Sequence, residues 1–445
     1  MSIYSFKTFP NQIQSPGISS AVGPYLYLND GSKYLDLTAG VTGFAILGGG
    51  VQAVALAVFE QLGKYPHSDY KYFQDDGREY LSEVLVGDAP GGLNKVLFSG
   101  GSGSEACEMA LLLSYQVHVE QGRPRKSWAI ATQQSYHGVT AGSLAVGERP
   151  NLEFYAPLLP QNRLRIPECN FLKHARDGES EEAYALRSAN ALESAILSIG
   201  PERVGCFIAE TMLGGLVGDV PASPGYWQRV REICDLYDVH LILDEVWSGG
   251  GVTGKFYCFE WEQISPDFVL LGKTLAAGYA PISVVLTKSC FEEAIKNGSG
   301  RLEASSTFQG HSGSCAAAIA VQRIVRTPEM MSHVEALGAL TRSYLGSELG
   351  NHEFYRQVRG RGIRNSVEYT CPSQNLFGQQ VASELKAKYG IMISGKWHRI
   401  SLTHSMLLDL KELEPALARI AQCFRVVASR WTTKYISTLV PRHFF

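Results

Sequence analysis

Lys273 stands in Leu271-Gly272-Lys273-Thr274-Leu275-Ala276-Ala277-Gly278, an amine among small and apolar residues. Such surroundings desolvate a lysine, lower its pKa and suit it to Schiff-base chemistry. The plain alternative is a snorkelling surface lysine. Asp244-Glu245-Val246, 29 residues upstream of Lys273, closes the apolar run His240–Leu243. An acid at the carboxyl end of a strand faces the crevice where open α/β sheets bind ligands, although a helix cap or a surface acid pair would look the same. Between Lys95–Phe98 and a helical pattern lies Ser99-Gly100-Gly101-Ser102-Gly103-Ser104. N–H groups at a helix start lack partners and receive a phosphate well, and Ser102, Gly103 and Ser104 add hydroxyls and close backbone access. The loop has no Gly-Lys-Ser/Thr and no acid in register with G-x-G-x-x-G, so it does not read as a triphosphate or dinucleotide site.

A phosphate cradle, an acid at a strand end and a desolvated amine together describe a pyridoxal phosphate site. The lysine would form the aldimine and the carboxylate would keep the pyridinium nitrogen protonated.

The elements that must position these groups alternate along the chain. Short apolar runs at Lys95–Phe98, Trp128–Ala131, Val204–Ala209, His240–Leu243, Phe268–Leu271 and Ser283–Leu286 read as strands. Helical spacing fills 103–121 and 224–237 between them. That order predicts an α/β fold, with a mostly parallel sheet between helices. Residues 20–36 read as a hairpin turning at Asn29-Asp30-Gly31. The C-terminal part reads as helices and short strands, ending with a helix over 410–430. We therefore expect a large domain over 50–311, and a smaller α+β lobe built from 1–49 and 312–445. The Gly/Asp/Glu-rich stretch near 176–182 is the candidate for a mobile loop.

Composition narrows the classes. The 445 residues are 45% hydrophobic with a net charge of −3, and carry no basic excess for nucleic acid or anionic lipid. No apolar stretch is long enough for a membrane span, and Met1–Gln14 has no signal-peptide core. Nine scattered cysteines without Cys-x-x-Cys, and eleven histidines without a ligand cluster, point to buried thiols, no metal and a cytoplasmic enzyme.

The chain resembles the class III (ω-type) aminotransferases of PLP fold type I from about residue 20 to 400. The segments that carry the likeness are Ser102-Gly103-Ser104-Glu105-Ala106, Tyr136-His137-Gly138, and Glu210 followed by Gly218. Asp244-Glu245-Val246 with Gly249, Gly251 and Gly254, Pro266-Asp267 before Gly272-Lys273, and Thr307-Phe308 with Gly310-His311 complete it. The resemblance implies a seven-stranded type of sheet, that Gly103 and Ser104 hold the phosphate, and that Tyr136 and Val246 clamp the ring. It implies that Asp244 pairs with the ring nitrogen, that Lys273 is the aldimine lysine, and that His137 and Glu210 belong to the cofactor site. Thr307 would reach the phosphate of a neighbouring subunit in a homodimer. The implied reaction moves an amino group from a small-molecule amino donor to an oxo acceptor. A racemase, epimerase or aminomutase of the same fold, and a catalytically silent binding protein, are the alternatives.

The chain departs from the family in four places. Gly215 replaces the glutamate gate, Trp247 a glutamine that bonds the ring hydroxyl, Val252 an arginine, and Leu402-Thr403-His404 a Pro-Pro segment. Arg399 falls where many relatives bind a substrate carboxylate, and with glycine at 215 it is expected to be ungated.

Overall fold

The computed structural model describes residues 17–371 and 374–437; Met1–Gln14, read above for targeting signals, lies outside them. A seven-stranded sheet runs in the spatial order Lys95–Gly100, Ser283–Thr287, Phe268–Leu271, His240–Asp244, Val204–Glu210, Trp128–Thr132, Arg163–Ile166. Every neighbouring pair is parallel except the two made by Ser283–Thr287. The reason is local: the chain between Phe268–Leu271 and that strand holds only a short 3-10 turn, Lys273–Ala276, and no crossover helix.

The central strands are apolar throughout because both faces are covered. Cys206, Ile208, Ile242, Phe268 and Leu270 pack with Ala106, Ala110, Leu113 and Val117 of the helix Gly103–Glu120. Phe207, Ala209, Leu241, Leu243, Val269 and Leu271, the alternate residues, join Trp227, Val230 and Ile233 of Tyr226–Leu236 in the main core. The two-residue period thus sends successive side chains into different cores.

Segments before residue 50 and after residue 312 meet in a second region. Ile18–Val22, Tyr25–Leu28 and Lys33–Asp36 form an antiparallel sheet that Ile391–Met392 extends in parallel, with Leu35 opposite Ile391. Tyr355–Arg361, Arg364–Tyr369, Arg399–Thr403 and Ser394–Lys396 make another antiparallel sheet, accompanied by the helices Pro328–Leu349, Gln374–Tyr389 and Leu410–Ser437. The loop near 176–182 is tied down: Arg187 donates to both oxygens of Glu179, at 2.6 and 2.7 Å. Of the nine cysteines, only Cys290 is exposed.

Candidate active site

Asp244 ends the strand His240–Asp244 beside Glu210 of the next strand. Its Oδ2 accepts from His137 Nδ1 at 2.8 Å and its Oδ1 from the Val246 N–H at 3.0 Å, and Asp244 and His137 are both buried. His137 comes from the loop after Trp128–Thr132, so it reaches across the strand Val204–Glu210 to fix this carboxylate. Glu245 serves the opposite face: it accepts from Thr211 Oγ1 and from the Cys258 and Phe259 N–H groups at 2.7–2.9 Å. Burial pushes its carboxyl up to about 8. Only the first of the two adjacent acids is a cleft residue.

Lys273 opens the 3-10 turn Lys273–Ala276 with φ of +24°, a left-handed backbone that glycine adopts freely and a lysine does not. Burial lowers its pKa and the Arg364 charge lowers it further, while Asp244 and Glu210 pull the other way. Glu210 is buried and accepts from the Tyr136 and Gly214 N–H groups at 3.4 and 3.3 Å. Burial raises its carboxyl to about 7, and the His137 field opposes that rise.

The glycine-rich loop turns into the helix Gly103–Glu120 through a capping box. Glu105 Oε2 accepts from Gly101 N, Ser102 N and Ser102 Oγ, each at 2.9 Å. The Ser102 hydroxyl, expected above beside a phosphate, is engaged with Glu105 in the cap. The N–H groups of Gly103 and Ser104 find no acceptor among the described residues. Ser104 Oγ accepts from the Val139 N–H at 3.0 Å and keeps its own proton to donate. A Cβ on Gly103 would lie 2.7 Å from Val246 Cγ1, so only glycine lets Val246 close over the helix start. Two orphan donors, a buried acid fixed by a histidine, and an enclosed amine of lowered pKa fit the phosphate, ring nitrogen and aldehyde of pyridoxal phosphate.

Two expected residues stand apart from this cluster. Thr307 is exposed, its carbonyl accepts from His67 Nε2 at 2.8 Å, and it lines a cavity of about 680 Å³ with Gly100, Gly101, Phe308 and His311. Arg399 is buried, and its guanidinium donates to the carbonyls of Gly215 and Leu216 at 2.6 and 2.7 Å. Gly215, which has no gating side chain, engages Arg399 through its peptide oxygen.

Sequence reading also passed over Asp219 and Arg364. Trp247 Nε1 donates to Asp219 Oδ1 at 2.9 Å, and the Arg364 guanidinium lies 3.8 Å from the Trp247 ring centre. The available signals were an acid inside the apolar stretch 213–222 and three arginines in Arg359-Gly-Arg361-Gly-Ile-Arg364.

The model of the class-III aminotransferases matches residues 11–424. An uncharacterized aminotransferase of Schizosaccharomyces pombe is 34% identical, over 81% of this chain and 78% of its own. The vanillin aminotransferase of Capsicum chinense is 30% identical, over 89% and 88%. The crystal structure of an omega transaminase from Pseudomonas jessenii in complex with PMP superposes with a TM-score of 0.90, at 25% identity and over 97% of each chain. The chain belongs to the class III aminotransferases and is a pyridoxal-phosphate-dependent transaminase.

Proposed function

We propose that the enzyme works by a ping-pong route, taking nitrogen from an amino acid or amine and giving it to an oxo acid, ketone or aldehyde, with Lys273 as proton carrier. Pyridoxal phosphate, when bound, supplies the carbonyl that receives the donor nitrogen and an electron sink for negative charge at the donor α-carbon. Asp244, oriented by His137, holds the proton on the ring nitrogen. Gly103 and Ser104 hold the phosphate, Tyr136 and Val246 cover the two ring faces, and Glu210 steadies the Tyr136 backbone. Lys273 Nζ, its pKa lowered by burial, takes the proton from the donor α-carbon and returns it as general acid. The observation that carries this reading is the buried Asp244, fixed by His137 and the Val246 N–H, with the half-buried Lys273 in its field and two unpartnered N–H groups at Gly103 and Ser104.

Arg399 is the proposed seat of a substrate carboxylate. Leaving two neutral carbonyls for an anion exchanges ordinary hydrogen bonds for charge-assisted ones. A homodimer with shared sites is supported by apolar side chains left in the open: Phe59 is 74% exposed, Tyr72 79% and Phe308 67%. Nine cysteines, eight of them buried, suit a reducing compartment such as the cytoplasm. No helix among the described residues is long and apolar enough to cross a membrane.

A panel of donors and acceptors, read by oxo product and cofactor spectrum, tests the reaction. Stoichiometric oxo product supports transfer. Exchange of the donor α-proton with inversion and no oxo product would mark a racemase instead.

A further inference from the structure

Asp219 occupies a backbone conformation, φ +55°, that suits glycine better than any residue with a side chain. Its carboxylate is buried, and both oxygens are engaged: Oδ1 accepts from Trp247 Nε1 at 2.9 Å and Oδ2 from Ser366 Oγ at 2.7 Å. Around the same indole the backbone makes room. A Cβ on Gly214 would lie 2.4 Å from Trp247 Cδ1, and one on Gly43 2.7 Å from Trp247 Cζ3. Arg364 closes the arrangement by stacking at 3.8 Å and donating Nε to the Trp247 carbonyl at 3.1 Å. The indole so held is 5.4 Å from Lys273 Nζ, measured to the ring centre.

We propose that Asp219 is a positioning residue, fixing Trp247 as a rigid apolar wall of the cofactor cleft beside Lys273. The single donor of Trp247 is spent on Asp219, so position 247 offers the cofactor an aromatic surface and no hydrogen bond. This rests on the reading that Lys273 is the cofactor lysine. It explains why an acid is kept where glycine would relax the backbone.

The test uses the full chain labelled with 5-fluorotryptophan, observed by 19F NMR without and with pyridoxal phosphate. Trp247→Phe identifies the resonance. In the native chain the Trp247 line is single and moves when the cofactor is added. Asp219→Gly keeps the left-handed backbone but removes the carboxylate. Its Trp247 line should broaden or split, and the cofactor dissociation constant should rise roughly tenfold, as for one lost hydrogen bond to a charged group. Asp219→Asn, whose amide oxygen still accepts the indole N–H, should restore the single line and bring the dissociation constant to within about twofold of native. A Trp247 line in Asp219→Gly that stays single and responds to the cofactor as in the native chain overturns the proposal. So does an Asp219→Asn protein that behaves like the glycine variant. Borohydride trapping separates the two readings: cofactor fixed at Lys273 with an unresponsive Trp247 line sinks the wall alone, whereas no trapped adduct sinks both.

Discussion

His137 Nδ1 donates to Asp244 Oδ2 across 2.8 Å, joining the loop after one strand to the end of another, with a third strand between them. Asp244 therefore has one oxygen held by an imidazole and the other by the Val246 N–H, with no rotation left to it. Replacing His137 with Ala should lower kcat/KM by roughly 10- to 100-fold, the cost of freeing a charged hydrogen-bond acceptor. Asn, which can still donate, should recover part of the loss. Steady-state kinetics of the two variants checks this, and equal rates for Ala and native enzyme would refute it.

Lys273→Ala removes the proton carrier. Amino transfer should fall by at least about a thousandfold, within the range of general acid–base contributions. The far-ultraviolet circular dichroism should not change. Single-turnover spectra with a good donor give the rate, and a variant within tenfold of native would show that another group moves the proton.

Glu210 makes cofactor-free protein sensitive to pH. Its folded pKa is raised by burial to about 7 from the usual 4.5, so the folded state holds a proton that the unfolded state releases. The contribution is fully present below about pH 4.5 and is lost as pH rises through 7. Relative to Glu210→Gln, native apoprotein should lose on the order of 1–3 kcal/mol between pH 4.5 and 8. Paired denaturant titrations across that range measure it; parallel curves would contradict the assignment.

Arg399→Leu should raise KM for carboxylate-bearing partners roughly tenfold or more, the value of a charge-assisted pair. KM for an aldehyde or a simple amine should stay within about twofold of native, the span of an ordinary surface change. A uniform rise in KM for all partners would assign Arg399 to holding the 215–216 loop alone.

Thr307 can be tested by mixing. If it serves the neighbouring subunit, a heterodimer of Lys273→Ala with Thr307→Val contains one site with both residues native. Refolding the two inactive or weakened chains together should regain activity that neither has alone. No gain on mixing would place Thr307 outside the shared site.

Much of this was open to reading because central strands buried on both faces leave unbroken apolar runs, as Val204–Glu210 and His240–Asp244 do. The edge strand Arg163–Ile166 escaped for the converse reason: two of its four residues are arginine. Asp244, Lys273 and Gly103 were visible because each sits where a strand or helix ends. Asp219 and Arg364 were not, since their meaning lies in an indole that the chain brings to them from a distant loop. The engagement of Arg399 was hidden for a different reason. It is made to peptide carbonyls, which every residue carries and no side-chain pattern records.

The parallel pairing of Leu35 with Ile391 has a consequence for biosynthesis. The strand Lys33–Asp36 acquires this neighbour only after hundreds of further residues have been made. Until then the edge of Lys33–Asp36 stays uncovered and able to recruit a foreign strand. Nascent chains stalled before residue 391 should therefore be the species most dependent on chaperones.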